Sequence, residues 1–165
     1  DAMAAVGSGL GAAGFVVYDH DRNMVAVAHA VSQFLHVESC GQCPACKFGT
    51  GEVTARLEQL MVEGGQPDAL DTVAARLRTV TDANRCYLGT QEQQVVASLL
   101  ATFPDDVDRV LAGDPGGPVP PVAPITDIAD GTALRDERQA FKRPDWTYGE
   151  QPLSSLIRRS QAPPA

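Results

Sequence analysis

The sequence predicts a mainly α protein, a small helical bundle, and three observations carry that expectation. Apolar residues recur at three- and four-residue intervals in five successive segments, turn or capping residues punctuate those segments, and a proline-dense stretch closes the series. The chain opens differently. Gly7 to Gly14 reads Gly-Ser-Gly-Leu-Gly-Ala-Ala-Gly and runs into the β-favouring Phe15-Val16-Val17-Tyr18. Gly9 to Gly14 satisfies the dinucleotide fingerprint G-x-G-x-x-G, but that motif works after a strand and before a helix. Here the apolar β-type run follows the glycines, so the segment reads as a turn into a strand rather than a nucleotide site.

Asp19-His20-Asp21-Arg22-Asn23 is a polar turn whose Asp or Asn can cap a helix. Met24, Val27, Ala28, Val31, Phe34 and Leu35 then predict a helix from about Met24 to about Val37. Val53, Leu57, Leu60 and Met61 define a second stripe ending at Gly64-Gly65. A third, opened by Pro67-Asp68, carries Leu70, Val73, Ala74, Leu77 and Val80 and breaks at Asp82-Ala83-Asn84. Gln91 to Phe103, with Val95, Val96, Leu99, Leu100 and Phe103 inward, is a fourth, and Asp105 to Leu111, behind Pro104, a short fifth.

From Asp114 to Pro124, five prolines and two glycines in eleven residues exclude a helix or central strand and predict a semi-stiff linker. Residues 134–165 hold six basic and four acidic side chains, net +2, so the preceding 133 carry −10 of the total of −8. This basic tail contains the single tryptophan, in Lys142-Arg143-Pro144-Asp145-Trp146-Thr147-Tyr148, followed by Leu153, Leu156 and Ile157. It reads either as a flexible terminus or as an arm whose aromatics anchor on a partner subunit.

Bulk properties narrow the function classes. With 165 residues, 44% of them apolar, the chain can bury one modest core with tails. The acidic balance, with a pI near 4.7 and no basic stripe, argues against nucleic acid. No stretch approaches the roughly twenty apolar residues of a membrane span, and Asp1-Ala2-Met3-Ala4-Ala5-Val6 lacks the basic flank of a secretion signal. A soluble cytoplasmic protein is expected, and the Asp start running into a Gly-rich loop predicts a piece of a longer polypeptide.

All four cysteines fall in one pattern: Cys40, Cys43 and Cys46 at two-residue intervals, then Cys86 after thirty-nine more residues. Reducing cytosol disfavours disulfides, and three thiols within seven residues pair poorly, so the set reads as one tetradentate site. A compact three-point cradle closed by a distant fourth thiolate suits a single [4Fe-4S] cluster. Structural zinc is the rival, because four cysteines also suit it, although its paired knuckles are grouped two and two rather than three and one. On that second reading the chain is a zinc-stapled interaction module. Gly41 permits a tight turn, Pro44 presets a helix start, and Lys47 and Phe48 bring a cation and an apolar cover beside the third thiol. His20, His29 and His36 lack the partners of an acid–base system, and Ser39 those of a nucleophile, so no catalytic residue is assigned.

The run Glu38-Ser39-Cys40-Gly41-Gln42-Cys43-Pro44-Ala45-Cys46-Lys47-Phe48-Gly49, with Cys86-Tyr87-Leu88-Gly89, resembles the C-terminal cluster domain of the NADH-binding flavoprotein subunit of bacterial complex I. Related subunits of NAD-linked formate dehydrogenases and hydrogenases look similar. Gly7 to Asp19 resembles the end of the ubiquitin-like (β-grasp) domain that precedes it, and the resemblance spans about residues 7 to 112. It implies that Cys40, Cys43, Cys46 and Cys86 ligate a [4Fe-4S] cluster that takes electrons from flavin reduced by NADH and passes them to further clusters. It also implies that FMN and NAD sit on a missing N-terminal part or on a partner, and that the activity is that of an NADH dehydrogenase only within a complex. The expected partners are the flavin-bearing domain and further iron–sulfur subunits, which would bring the chain to the inner face of the membrane without insertion. Two departures stand out: Lys47 replaces the more usual Arg, and Thr90-Gln91-Glu92-Gln93-Gln94 is unusually polar.

The resulting domain map is the end of a ubiquitin-like domain over 1–23, a helical cluster-binding domain over 24–113, a Pro-rich linker over 114–133, and an extended C-terminal tail over 134–165, either a flexible terminus or a subunit anchor.

Overall fold

The computed structural model describes residues 2–5, 11, 15–65, 67–117 and 122–149. Its elements are α1 (Ala2–Ala5), α2 (Met24–Glu38), α3 (Pro44–Glu63), α4 (Pro67–Thr79), α5 (Leu88–Thr102), α6 (Pro104–Leu111), β1 (Ile125–Ala129), β2 (Thr132–Arg135) and a 3-10 helix at Glu137–Phe141. The mainly helical expectation holds for α2 to α6. Most of the glycine run between Gly7 and Gly14 lies outside the described residues. Phe15, Val16 and Val17 are exposed, and the run to Asp19 is not part of a strand, since none of the described residues offers it a ladder partner.

Local chemistry explains where the helices begin. Asn23 caps α2: its Oδ1 accepts the Val25 N–H at 2.8 Å, while its Nδ2 donates to the Asp106 carbonyl at 3.0 Å. Asp106 also accepts the Met24 N–H at 2.8 Å, so the start of α2 is locked to the first turn of α6. Pro44 opens α3 and Pro104 opens α6, each at a position where the missing N–H would have no helical partner. Helix α3 ends at Gly64, whose φ of 61° favours glycine. Helix α5 starts at Leu88, three residues before the periodicity suggested. Its N-cap is Tyr87, which has no side-chain cap and therefore no capping signal in the sequence.

Helix α3 sits at the centre and packs on α2, α4, α5 and α6. Val53, Leu57 and Leu60 from α3 meet Val25 and Ala28 of α2, Ala69, Val73 and Leu77 of α4, Val96 of α5 and Val110 of α6. Each fully buried Val or Leu contributes about 1.5–3 kcal/mol, so this cluster drives the bundle together. The α2–α3 seam is close: a Cβ on Gly51 would come within 2.8 Å of the His36 ring. Gly51 accepts a helix-propensity penalty of about 1 kcal/mol in return for that approach.

Residues 122–149 follow a different plan. β1 and β2 form an antiparallel hairpin that pairs Ile128 with Ala133 and Ala129 with Thr132. The two-residue Asp130-Gly131 loop has positive φ at both positions, 50° and 75°, as a type I′ turn requires. Every residue of both strands is exposed. The hairpin begins directly after Pro124, within the stretch expected as linker. The tail expected as extended is, as far as Gly149, this hairpin's second strand, the 3-10 helix and a tight turn. In that turn Arg143 N–H donates to Thr147, and Gly149 N–H donates to Phe141, both at 2.8 Å. Leu153, Leu156 and Ile157 lie outside the described residues.

Candidate metal centre

The four cysteines stand at helix ends, as their sequence neighbours suggest. Cys40 follows Ser39, the C-cap of α2, and Gly41 turns the chain with φ of 79°. Cys43 is the N-cap of α3, Cys46 sits in the first turn of that helix, and Cys86 immediately precedes the N-cap of α5. Two helix N-termini therefore face the site. Helix N-terminal N–H groups are donors that sulfur can accept.

Cys43 and Cys46 are buried, while Cys40 and Cys86 are exposed. Burial pushes the Cys46 thiol above its ordinary value, and the charges of Cys86, Cys43 and Cys40, then of Glu92, push it further. The structure thus brings all three other cysteines within electrostatic reach of Cys46. Among the described residues, no group of three or more His, Cys, Asp or Glu side chains converges as a single-ion site. One tetrahedral ion with bonds of about 2.3 Å would draw its sulfurs to within about 3.8 Å of each other. A cluster with iron at four corners spreads its thiolates wider, and four cysteine thiolates are a donor set that either group accepts.

Lys47 binds the site's outer edge. Its ammonium donates to the carbonyls of His36 at 3.2 Å, Ser39 at 2.8 Å and Pro144 at 2.5 Å. Burial lowers its pKa from the ordinary value, against the pull of Cys46, Cys40, Asp145 and Glu38. The carbonyl of Cys46 accepts the Thr50 hydroxyl at 2.9 Å, and Thr50 in turn meets His36 Nδ1 at 3.2 Å. Burial first, then Lys47, lowers the pKa of His36 and favours the neutral ring.

Known proteins share the stretch that builds this geometry. Residues 26–110 match the family described as the NADH-ubiquinone oxidoreductase-F iron-sulfur binding region. The chain belongs to this family. It is 28% identical over 109 residues to the F subunit of NADH-quinone oxidoreductase of Rickettsia typhi, covering 66% of this chain and 26% of that protein. It is 32% identical over 104 residues to the mitochondrial NADH dehydrogenase [ubiquinone] flavoprotein 1 of Dictyostelium discoideum, covering 62% and 22%. Against an F subunit of NADH-quinone oxidoreductase of Rhizobium meliloti the identity is 28% over 109 residues, covering 66% and 25%. The chain thus spans about a quarter of the length of these relatives. The matched region is the family's iron–sulfur part and contains all four cysteines, in keeping with a [4Fe-4S] cofactor. No helix among the described residues is long and apolar enough to cross a membrane.

Sequence reasoning overlooked a buried polar chain beside this centre. Glu92 is fully buried; its Oε1 accepts the Ser32 hydroxyl at 2.7 Å. Ser32 meets Thr54 Oγ1 at 2.8 Å, and Thr54 donates to the Thr50 carbonyl at 2.8 Å. Glu92 Oε2 has no hydrogen-bond partner among the described residues. Burial pushes this carboxyl up to about 7, against the lowering effect of Ser32. A signal was present: Glu92 lies four residues before Val96 and seven before Leu99, on the stripe that faces the core.

Proposed function

We propose that this chain is an electron-relay domain in which Cys40, Cys43, Cys46 and Cys86 ligate one [4Fe-4S] cluster. One observation carries the reading: Cys40, Cys43 and Cys86, at three different helix ends, all lie within electrostatic reach of the buried thiol of Cys46. When bound, the cluster would supply one-electron chemistry. The chain's own contribution is ligation, exclusion of water at Cys43 and Cys46, and placement of the Lys47 cation near the thiolates. No proton is abstracted and no substrate bond broken by any residue identified above.

Electrons would arrive from a flavin reduced by NADH and leave toward further iron–sulfur clusters of a multisubunit oxidoreductase. The relatives' names support this assignment, and the flavin and NADH sites would lie on a portion of polypeptide that these 165 residues do not include or on a partner. The assembled complex would oxidise NADH, with this domain at the cytoplasmic face.

The test is anaerobic reconstitution of the chain, followed by iron and acid-labile sulfide analysis. About four iron and four sulfide per chain, a visible absorbance that bleaches on reduction, and loss of both in Cys46→Ser are the expected results. Stoichiometric zinc with no iron or sulfide would replace the relay with the zinc-stapled interaction module.

A further inference from the structure

We infer that residues 137–149 form a strap that positions Cys40 by holding the C-terminal turn of α2. The inference rests on the cluster reading above and adds residues that neither the cysteine pattern nor the family match includes, since that match ends at residue 110.

A helix ends with carbonyls that lack an intrahelical partner, and a buried end needs a donor for each. At the end of α2 those donors can be followed individually. The Leu35 carbonyl takes the Ser39 N–H at 2.9 Å, and the His36 carbonyl takes the Ser39 hydroxyl at 2.6 Å and the Lys47 ammonium at 3.2 Å. The Val37 carbonyl takes the indole N–H of Trp146 at 2.9 Å, from 109 residues away. One residue later, Lys142 donates to both oxygens of the Glu38 carboxylate at 2.7 Å, and Gln139 adds a third bond at 2.8 Å. Only 16% of the Lys142 side chain and 28% of that of Glu38 are exposed, so this ion pair is better shielded than an ordinary surface pair. Lys47 completes the junction by holding Ser39 and Pro144 with the same ammonium.

The strap is shaped for this contact. Trp146 has φ of 66°, an uncommon conformation for a bulky residue that persists where the surroundings over-determine it. It is held by its own N–H, which donates to Arg143 at 2.8 Å, and by the Lys142–Tyr148 bridge. Lys142 also lies 5.8 Å over the indole ring, so the cation that grips Glu38 helps to orient the ring that caps Val37. No residue of the 3-10 helix is buried, so the strap adds little to the apolar core; its bonds converge on the two residues that lead into Ser39 and Cys40. Cys40 is an exposed member of the cysteine set and is followed by Gly41 in a positive-φ turn. The strap is therefore the restraint on its helical side, with Gln139, Lys142 and Trp146 as positioning residues.

The experiment uses the full, cluster-loaded chain and its variants Lys142→Met and Trp146→Phe, with Lys142→Arg as the conservative rescue. Cluster lifetime under an iron chelator, the EPR lineshape of the reduced cluster, and helix content are measured together. The expected result is roughly tenfold faster cluster loss in Lys142→Met and Trp146→Phe, an altered lineshape, unchanged helix content, and recovery of most of the lifetime in Lys142→Arg. Wild-type lifetime and lineshape in both disruptive variants would overturn the inference, as would a shortened lifetime that merely follows lost helix content. A wild-type chain that takes up zinc and no iron would instead overturn the cluster reading on which the strap depends.

Discussion

The bundle over residues 24–113 and the C-terminal segment over 122–149 are held by different physics. In the bundle, α3 buries Val53, Leu57 and Leu60 at 0–1% exposure against four other helices. In the C-terminal segment every strand residue is exposed, Ile128 to 68%, and hydrogen bonds and the Lys142–Glu38 ion pair attach it to Val37, Glu38 and Lys47. Apolar burial is non-directional and cooperative, so it makes a stable body; polar contacts are directional and individually weak, so they place a chain without adding much stability. The cysteines lie where the two regimes meet, with Cys43 and Cys46 buried in the body and Cys40 at the strap's point of attachment.

The largest expected effect is in the bundle. Leu57→Ala removes a fully buried side chain from the central helix and should lower unfolding free energy by about 2–5 kcal/mol, read from the denaturant midpoint at constant slope. A loss below about 1 kcal/mol would show that α3 does not hold the core.

Next in size is Glu92, a polar defect in that body. Its folded-state pKa, about 7, lies above the ordinary 4.5, so the protonated form is favoured on folding. The stabilisation from this group is complete below about pH 4.5 and is lost as pH rises to about 7, at most about 3 kcal/mol in all. Glu92→Gln should flatten this part of the stability curve and make the variant the more stable of the two at pH 8. Equal pH slopes for wild type and variant between pH 5 and 8 would mean that Glu92 is solvated or paired. The smallest effect belongs to the exposed hairpin. Ile128→Thr should change stability by no more than about 0.5 kcal/mol, and a larger loss would reveal a covered face and weaken the contrast between the two regions.

How much could be read in advance follows the same division. The helices were legible because their apolar stripes are local: the α2 stripe ends within one residue of the observed Glu38, and Gly64 marks the end of α3 as expected. The start of α5 was placed late because Tyr87 caps it without a side-chain bond. The hairpin carried a readable sign in Asp130-Gly131, but the prolines just before it and the expected linker obscured it. Trp146 stood out by composition as a candidate anchor on a partner subunit; its bond to Val37 of its own chain could not be read, because the two lie 109 residues apart and nothing local encodes the pair.

The sequence by itself determined the helical segments, the ends marked by proline or glycine and the placement of four cysteines at helix ends, because periodicity, proline and glycine act over a few residues. Only the tertiary structure decided that the other three thiols come within electrostatic reach of Cys46, that Glu92 is buried against Ser32 sixty positions away with one oxygen unpaired among the described residues, and that a C-terminal strap caps α2. Those features depend on which helix faces meet and on bonds between residues far apart in the chain. Such pairings arise from the packing of the whole molecule and leave no repeat in the sequence to announce them.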